Sequence, residues 1–113
     1  MQTKSINPEE FELDVYGFSI NIVSFVKTLE KSGKTNETIN KLVIVSNGFY
    51  SDFTNIIEAE TKHDKENYIN ESIKKAKLCL GMLESINLEN GLLNEKVDLI
   101  IEVAGLIKKI ERL

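Results

Sequence analysis

Reactive chemistry in this chain would have to come from very few side chains. Cys79 is its only cysteine and His63 its only histidine, so a thiol–imidazole pair would need those two to meet. Cys79 stands between Leu78 and Leu80, where it reads more simply as a small buried hydrophobe. Glu60-Thr61-Lys62-His63 has the Glu-x-x-His spacing with which helical bundles hold paired metal ions. That chemistry takes two such motifs and further carboxylates projecting inward. Here one copy falls at the end of an apolar segment, and it reads as a solvated helix terminus. A glycine-rich phosphate loop, a serine elbow and paired inward carboxylates are all missing from the sequence. The expectation is a protein that binds rather than catalyses, with no metal and no cofactor.

Binding directs attention to charge. The net charge is −4, and of the 14 basic residues all but Arg112 are lysines. Arginine is the better bidentate partner of phosphate and base edges, so this usage weighs against specific nucleic-acid readout, although lysines still attract phosphate non-specifically. Residues 1–60 carry five lysines against nine carboxylates, and residues 61–113 balance nine against nine. If the chain folds as four antiparallel helices, Lys62, Lys65 and Lys74 near the start of the third gather beside Lys108, Lys109 and Arg112 at the end of the fourth. These six are the candidate nucleic-acid contacts. Glu9, Glu10, Glu12 and Asp14 reach the same end and could neutralise them.

The elements that would position these residues are legible from periodicity. Val15, Phe18, Ile22, Phe25 and Leu29 follow at steps of three and four, as do Ile39, Leu42, Ser46, Phe49, Phe53 and Ile56. Ile69, Ile73, Ala76, Leu80 and Leu83 give a third stripe; Leu93, Val97, Ile100, Ala104 and Ile107 give a fourth. Such spacing keeps side chains on one face of a helix and would scatter them across a strand. The only proline, Pro8, precedes all four stretches, so nothing interrupts them. Gly33 suits the end of the first helix, Thr35 or Asn36 can cap the second, Asp64 can cap the third, and Asn90-Gly91 marks the last turn. Joints this short force antiparallel neighbours. The expectation is a single all-α domain over residues 1–113, an up-down-up-down four-helix bundle.

Two further features bear on function. The stripes are wider than one small core requires, with Ile20, Val23 and Val26 in the first helix and Ile101, Val103, Leu106 and Ile110 in the fourth. Some must face outward, and contiguous exposed apolar surface marks an interface. Each helix also holds an interior glycine, Gly17, Gly48, Gly81 or Gly105, which suggests close backbone approach between helices or subunits. One cysteine permits no intrachain disulfide. Met1 to Pro8 lacks a signal-peptide core, and no apolar run is long enough to span a membrane. A cytoplasmic protein with no membrane contact is expected.

Phe11-Glu12-Leu13-Asp14-Val15-Tyr16 resembles the opening of the bacterial four-helix-bundle proteins encoded in intervening sequences of large-subunit ribosomal RNA. That family includes the accessory variability determinants of diversity-generating retroelements. Its helix-two signature reads approximately Ser-Ile-x-x-Asn-Ile-x-Glu-Gly, matched here at Ser51, Asn55, Ile56 and Glu58, and Glu66-Asn67-Tyr68-Ile69 resembles the opening of its next helix. The resemblance implies a homopentamer. In the retroelement members it further implies binding to a reverse transcriptase and its template RNA through basic surfaces. Ser46-Asn47-Gly48 stands where the family commonly has arginines, and Ala59 where it has glycine. Asn55 and Glu58, three apart, could fix helix or subunit register by hydrogen bonding or form an exposed polar pair.

Overall fold

The computed structural model describes residues 7–88 and 91–113. A 3-10 turn at Pro8–Phe11 leads into α1 (Glu12–Lys31), followed by α2 (Glu37–Glu58), α3 (Lys62–Ser85) and α4 (Gly91–Glu111). Each helix packs on the next and α1 closes against α4, giving a four-helix bundle of 50 × 27 × 20 Å with no strand among the described residues. The α2–α3 seam is the most extensive and the α1–α4 seam the least.

Local chemistry accounts for the helix ends. Gly33 takes φ +78°, its N–H donates to the Glu30 carbonyl at 3.0 Å and the Lys34 N–H to Leu29 at 2.9 Å. This pair of bonds satisfies carbonyls that the last turn of α1 would leave open. Asn36 caps α2, its Oδ1 accepting from the Ile39 N–H at 2.9 Å. At α3 the expected cap is corrected. Thr61, not Asp64, is the capping residue, its Oγ1 accepting from the Asp64 N–H at 3.0 Å. Asp64 instead lies in the first turn, where its carboxylate favours the positive end of the helix dipole. In the α3–α4 turn Asn90 lies outside the described residues, and α4 begins at Gly91.

The core matches the periodicity fully in α1 and α2, where all eleven stripe residues named above are buried. It departs from it in the second half. In α3 the buried stripe is Ser72, Ala76, Cys79 and Leu83, while Ile69, Ile73 and Leu80 are half-buried against the core. In α4 only Ile107 of the expected stripe is buried; Leu99, Val103, Leu106 and Ile110 join it, and Leu93 and Val97 are exposed. Apolar residues nearly encircle α4 from Val97 to Ile110. Periodicity therefore leaves two admissible faces, and packing against its neighbours selects between them.

The interior glycines divide into two kinds. A Cβ at Gly48 would stand 3.2 Å from Cδ and Cε of Lys75, so α2 and the Lys75 stem do approach closely. Nothing lies within 4 Å of such a Cβ at Gly17, Gly81 or Gly105, so packing inside the chain does not require glycine there.

Two alanine substitutions should move stability in opposite directions. Gly33→Ala forces a left-handed conformation on an L-residue and should cost about 1–2 kcal/mol. Gly81→Ala fills open space in a helix interior and should stabilise by up to about 1 kcal/mol. Urea midpoints would show the two shifts. Equal effects would contradict the local geometry described.

Candidate functional site

The most prominent surface feature is apolar. Among the described residues eight large apolar side chains are exposed, including Leu13 at 81%, Ile44 at 70% and Ile101 at 66%. Leu13, Tyr16 and Ile20 follow at steps of three and four on α1, and Leu93, Val97 and Ile101 at steps of four on α4. Each trio therefore shares a helix face. The Tyr16 ring tilts against the half-buried Tyr50 of α2, with centroids 5.3 Å apart. Leu13, Ile44 and Leu78 stand outside the core stripes, and that displacement was the signal by which sequence could have found them.

The four signature residues do not form one constellation. Ile56 is buried in the core, Ser51 and Glu58 are exposed, and Asn55 is half-buried. Asn55 and Glu58 line an open cleft of about 270 Å³ at the α2–α3 joint, together with Glu60, Asp64 and Tyr68. The α2–α3 register is instead pinned by a pair that sequence reasoning missed, Lys75 of α3 donating to Asp52 of α2. The side chains are 35% and 16% exposed, so this contact is better shielded from water than an ordinary surface ion pair. Residues 23 apart carry no local spacing signal that could reveal it.

Of the six candidate nucleic-acid contacts, Lys62, Lys74, Lys108 and Arg112 are exposed and Lys65 is half-buried. Lys109 is engaged within the chain: its Nζ lies 3.4 Å from Asp14 Oδ2 and 6.0 Å from the Phe11 ring centroid. The α1 carboxylates thus reach the basic end, with one ion pair among the described residues realising that neutralisation. Farther along the α1–α4 seam, Asn21 Nδ2 donates to Glu102 Oε1 at 3.3 Å. Asn21, Ser24, Glu95, Asp98 and Glu102 border an acidic slot of about 240 Å³ there.

The chemistry-bearing side chains stay apart. Glu60 and His63 are exposed, and His63 Nε2 lies 3.3 Å from Asn67 Nδ2. Cys79 is fully buried in α3, and that burial pushes its thiol up to about 12. Among the described residues no three His, Cys, Asp or Glu side chains come together as metal ligands, and no helix is long and apolar enough to cross a membrane.

A thiol held this far above its ordinary range exists as the poorly nucleophilic neutral form. Cys79 should resist an aromatic disulfide reagent at pH 8 and react fully once the chain is unfolded in denaturant. The raised value also sets a sign. Above pH 9 the unfolded thiol ionises while the folded one keeps its proton, so this residue's contribution to stability falls between pH 9 and 12. Rapid labelling of the folded chain would contradict the burial of Cys79.

Comparison with family models, curated proteins and solved structures finds no match to this chain.

Proposed function

We propose that this protein is a non-enzymatic, cytoplasmic interaction module that self-associates through its exposed helix faces. The observation that carries this reading is the set of eight large apolar side chains among the described residues that stay exposed outside the buried core. Scattered single residues would need no explanation, but Leu13, Tyr16 and Ile20 on one helix and Leu93, Val97 and Ile101 on another form contiguous strips. The resemblance of the helix-two and helix-one motifs extends the reading to a homopentamer that serves a reverse transcriptase in a diversity-generating retroelement. Ser51, Asn55 and Glu58 would then lie at or near a contact, with Ile56 holding their helix in place from the core side.

Light scattering on a gel-filtration column at micromolar concentration is the primary test. An assembly of defined stoichiometry is expected, and Leu13→Asp with Ile101→Asp should each reduce it while leaving the helical circular dichroism unchanged. A wild-type chain that elutes as a strict monomer would remove self-association from the reading. Co-purification with the reverse transcriptase of such a retroelement tests the partner separately.

A second reading, RNA binding, is favoured by Lys62, Lys74, Lys108 and Arg112, which are exposed and form no ion pair among the described residues. It predicts affinity for structured RNA that falls linearly on a log–log plot against salt. Each lysine exchanged for glutamine should shallow that slope by about 1. No binding even at low salt would dispose of it.

A further inference from the structure

We infer that copies of this chain join head to tail, the α1–α2 side of one seated on the α3–α4 side of the next. This rests on the self-association reading and assigns its two surfaces. Contacts inside the chain fix which residues border each side. On α1, Asp14 and Asn21 turn to α4, whereas Tyr16 meets Tyr50 of α2 and Ser19 donates to Asn47 of α2 at 3.1 Å. Tyr16, Ile20 and Val23 therefore lie with Val43 and Tyr50 on the α1–α2 side, each exposed or half-buried. On α3, Lys75 turns to Asp52 of α2, which leaves Ile69, Ile73 and Leu80, across the buried stripe from it, toward α4. On α4, Glu102 and Lys109 turn to α1, which leaves Leu93, Val97, Ile100 and Ala104 toward α3. All of these are likewise exposed or half-buried. The helices pack in a closed cycle, so the two apolar sides stand on opposite flanks of the bundle.

Shape and charge identify the occupant as another copy. Two unlike surfaces on opposite flanks make a heterologous contact, which repeats from copy to copy and closes into a ring where the turn between copies allows. A ring of five is one such closure. Each long side, 50 Å by at least 20 Å, has room for the ~800 Å² per partner of a standard interface. In a ring whose axis runs along the bundle, rotation keeps like ends together and sets α1 of one copy along α4 of the next, with α2 along α3. Asn21 is level with Glu102, so Ile20 and the exposed Ile101 stand within one turn of the same height and meet. At the end where α1 begins, the α1–α2 side carries Glu12 and Glu58. There Lys74, Lys77 and Lys108 outnumber Glu66 and Glu111 on the α3–α4 side. None of these seven forms an ion pair within the chain among the described residues, so the carboxylates of one copy are free to meet the lysines of the next. Ser51 and Glu58 of the helix-two signature, four and eleven residues beyond Asn47, border the same surface.

Mixing two variants of the full chain tests the contact. Ile20→Asp blocks the α1–α2 side and Val97→Asp the α3–α4 side, so each alone should weigh as a monomer in light scattering where the wild type assembles. Their equimolar mixture should weigh as two chains, because one intact surface of each kind remains. A contact that uses the same surface twice gives no such rescue. Chains carrying Ile20→Cys, co-expressed with chains carrying Ile101→Cys, should also form a disulfide-linked dimer that neither forms alone, since Cys79 is buried. Rescue or mixed linkage supports the head-to-tail contact. A monomeric wild type overturns both this inference and the reading beneath it. An assembled wild type that shows neither rescue nor mixed linkage keeps that reading and overturns the contact.

Discussion

Packing of large aromatic rings from one half of the chain against small side chains from the other underlies the rest of this structure. All five phenylalanines, Phe11, Phe18, Phe25, Phe49 and Phe53, are buried, and all belong to α1, α2 or the turn before them. Phe11 meets Phe53 with centroids 5.1 Å apart and Phe18 meets Phe49 at 6.1 Å, tilted and edge-on respectively. These are the arrangements that the aromatic quadrupole favours. Opposite them α3 presents Ser72, Ala76 and Cys79 to the interior. Combining large and small side chains across facing positions is how interiors reach their close packing.

The small face of α3 has consequences beyond the core. It lets α3 settle closely on α2, forming the bundle's most extensive seam, and close approach brings the Lys75 stem across Gly48 so that its ammonium reaches Asp52. The hydroxyl of Ser72 is carried into the interior without a hydrogen-bond partner among the described residues. An unpaired buried hydroxyl costs on the order of 1–3 kcal/mol. The α1–α4 seam lies opposite, where packing is least extensive and polar contacts such as Asn21–Glu102 and Asp14–Lys109 take over. Because the core is satisfied without them, Ile20 and Ile101 are left outside it.

This arrangement separates two roles that a sequence writes in the same alphabet. Ile56 and Asn55 are neighbours in one motif, yet one is a core residue and the other borders a surface cleft. Cys79, the side chain with the most intrinsic reactivity, is committed to packing, and its raised thiol value follows from that burial alone. The surface that remains for interaction consists of helix faces, whose information lies in shape and charge sequence rather than in reactive groups.

By itself the sequence determined the number of helices, their antiparallel order and the inner faces of α1 and α2. In those helices the phenylalanines and the aliphatic residues three and four positions from them mark the face that is buried. It also determined where helices stop, since Gly33 and Asn36 act through bonds to residues a few positions away. Tertiary structure alone decided which face α4 buries, because a helix apolar on nearly all sides has no unique inward direction until its neighbours occupy it. It decided as well that α3 turns Ser72 and Cys79 inward and leaves Ile69 and Ile73 half-buried. The Asp52–Lys75, Asn21–Glu102 and Asp14–Lys109 contacts arise only when separate helices come together. No local spacing encodes a contact between residues that the chain keeps tens of positions apart.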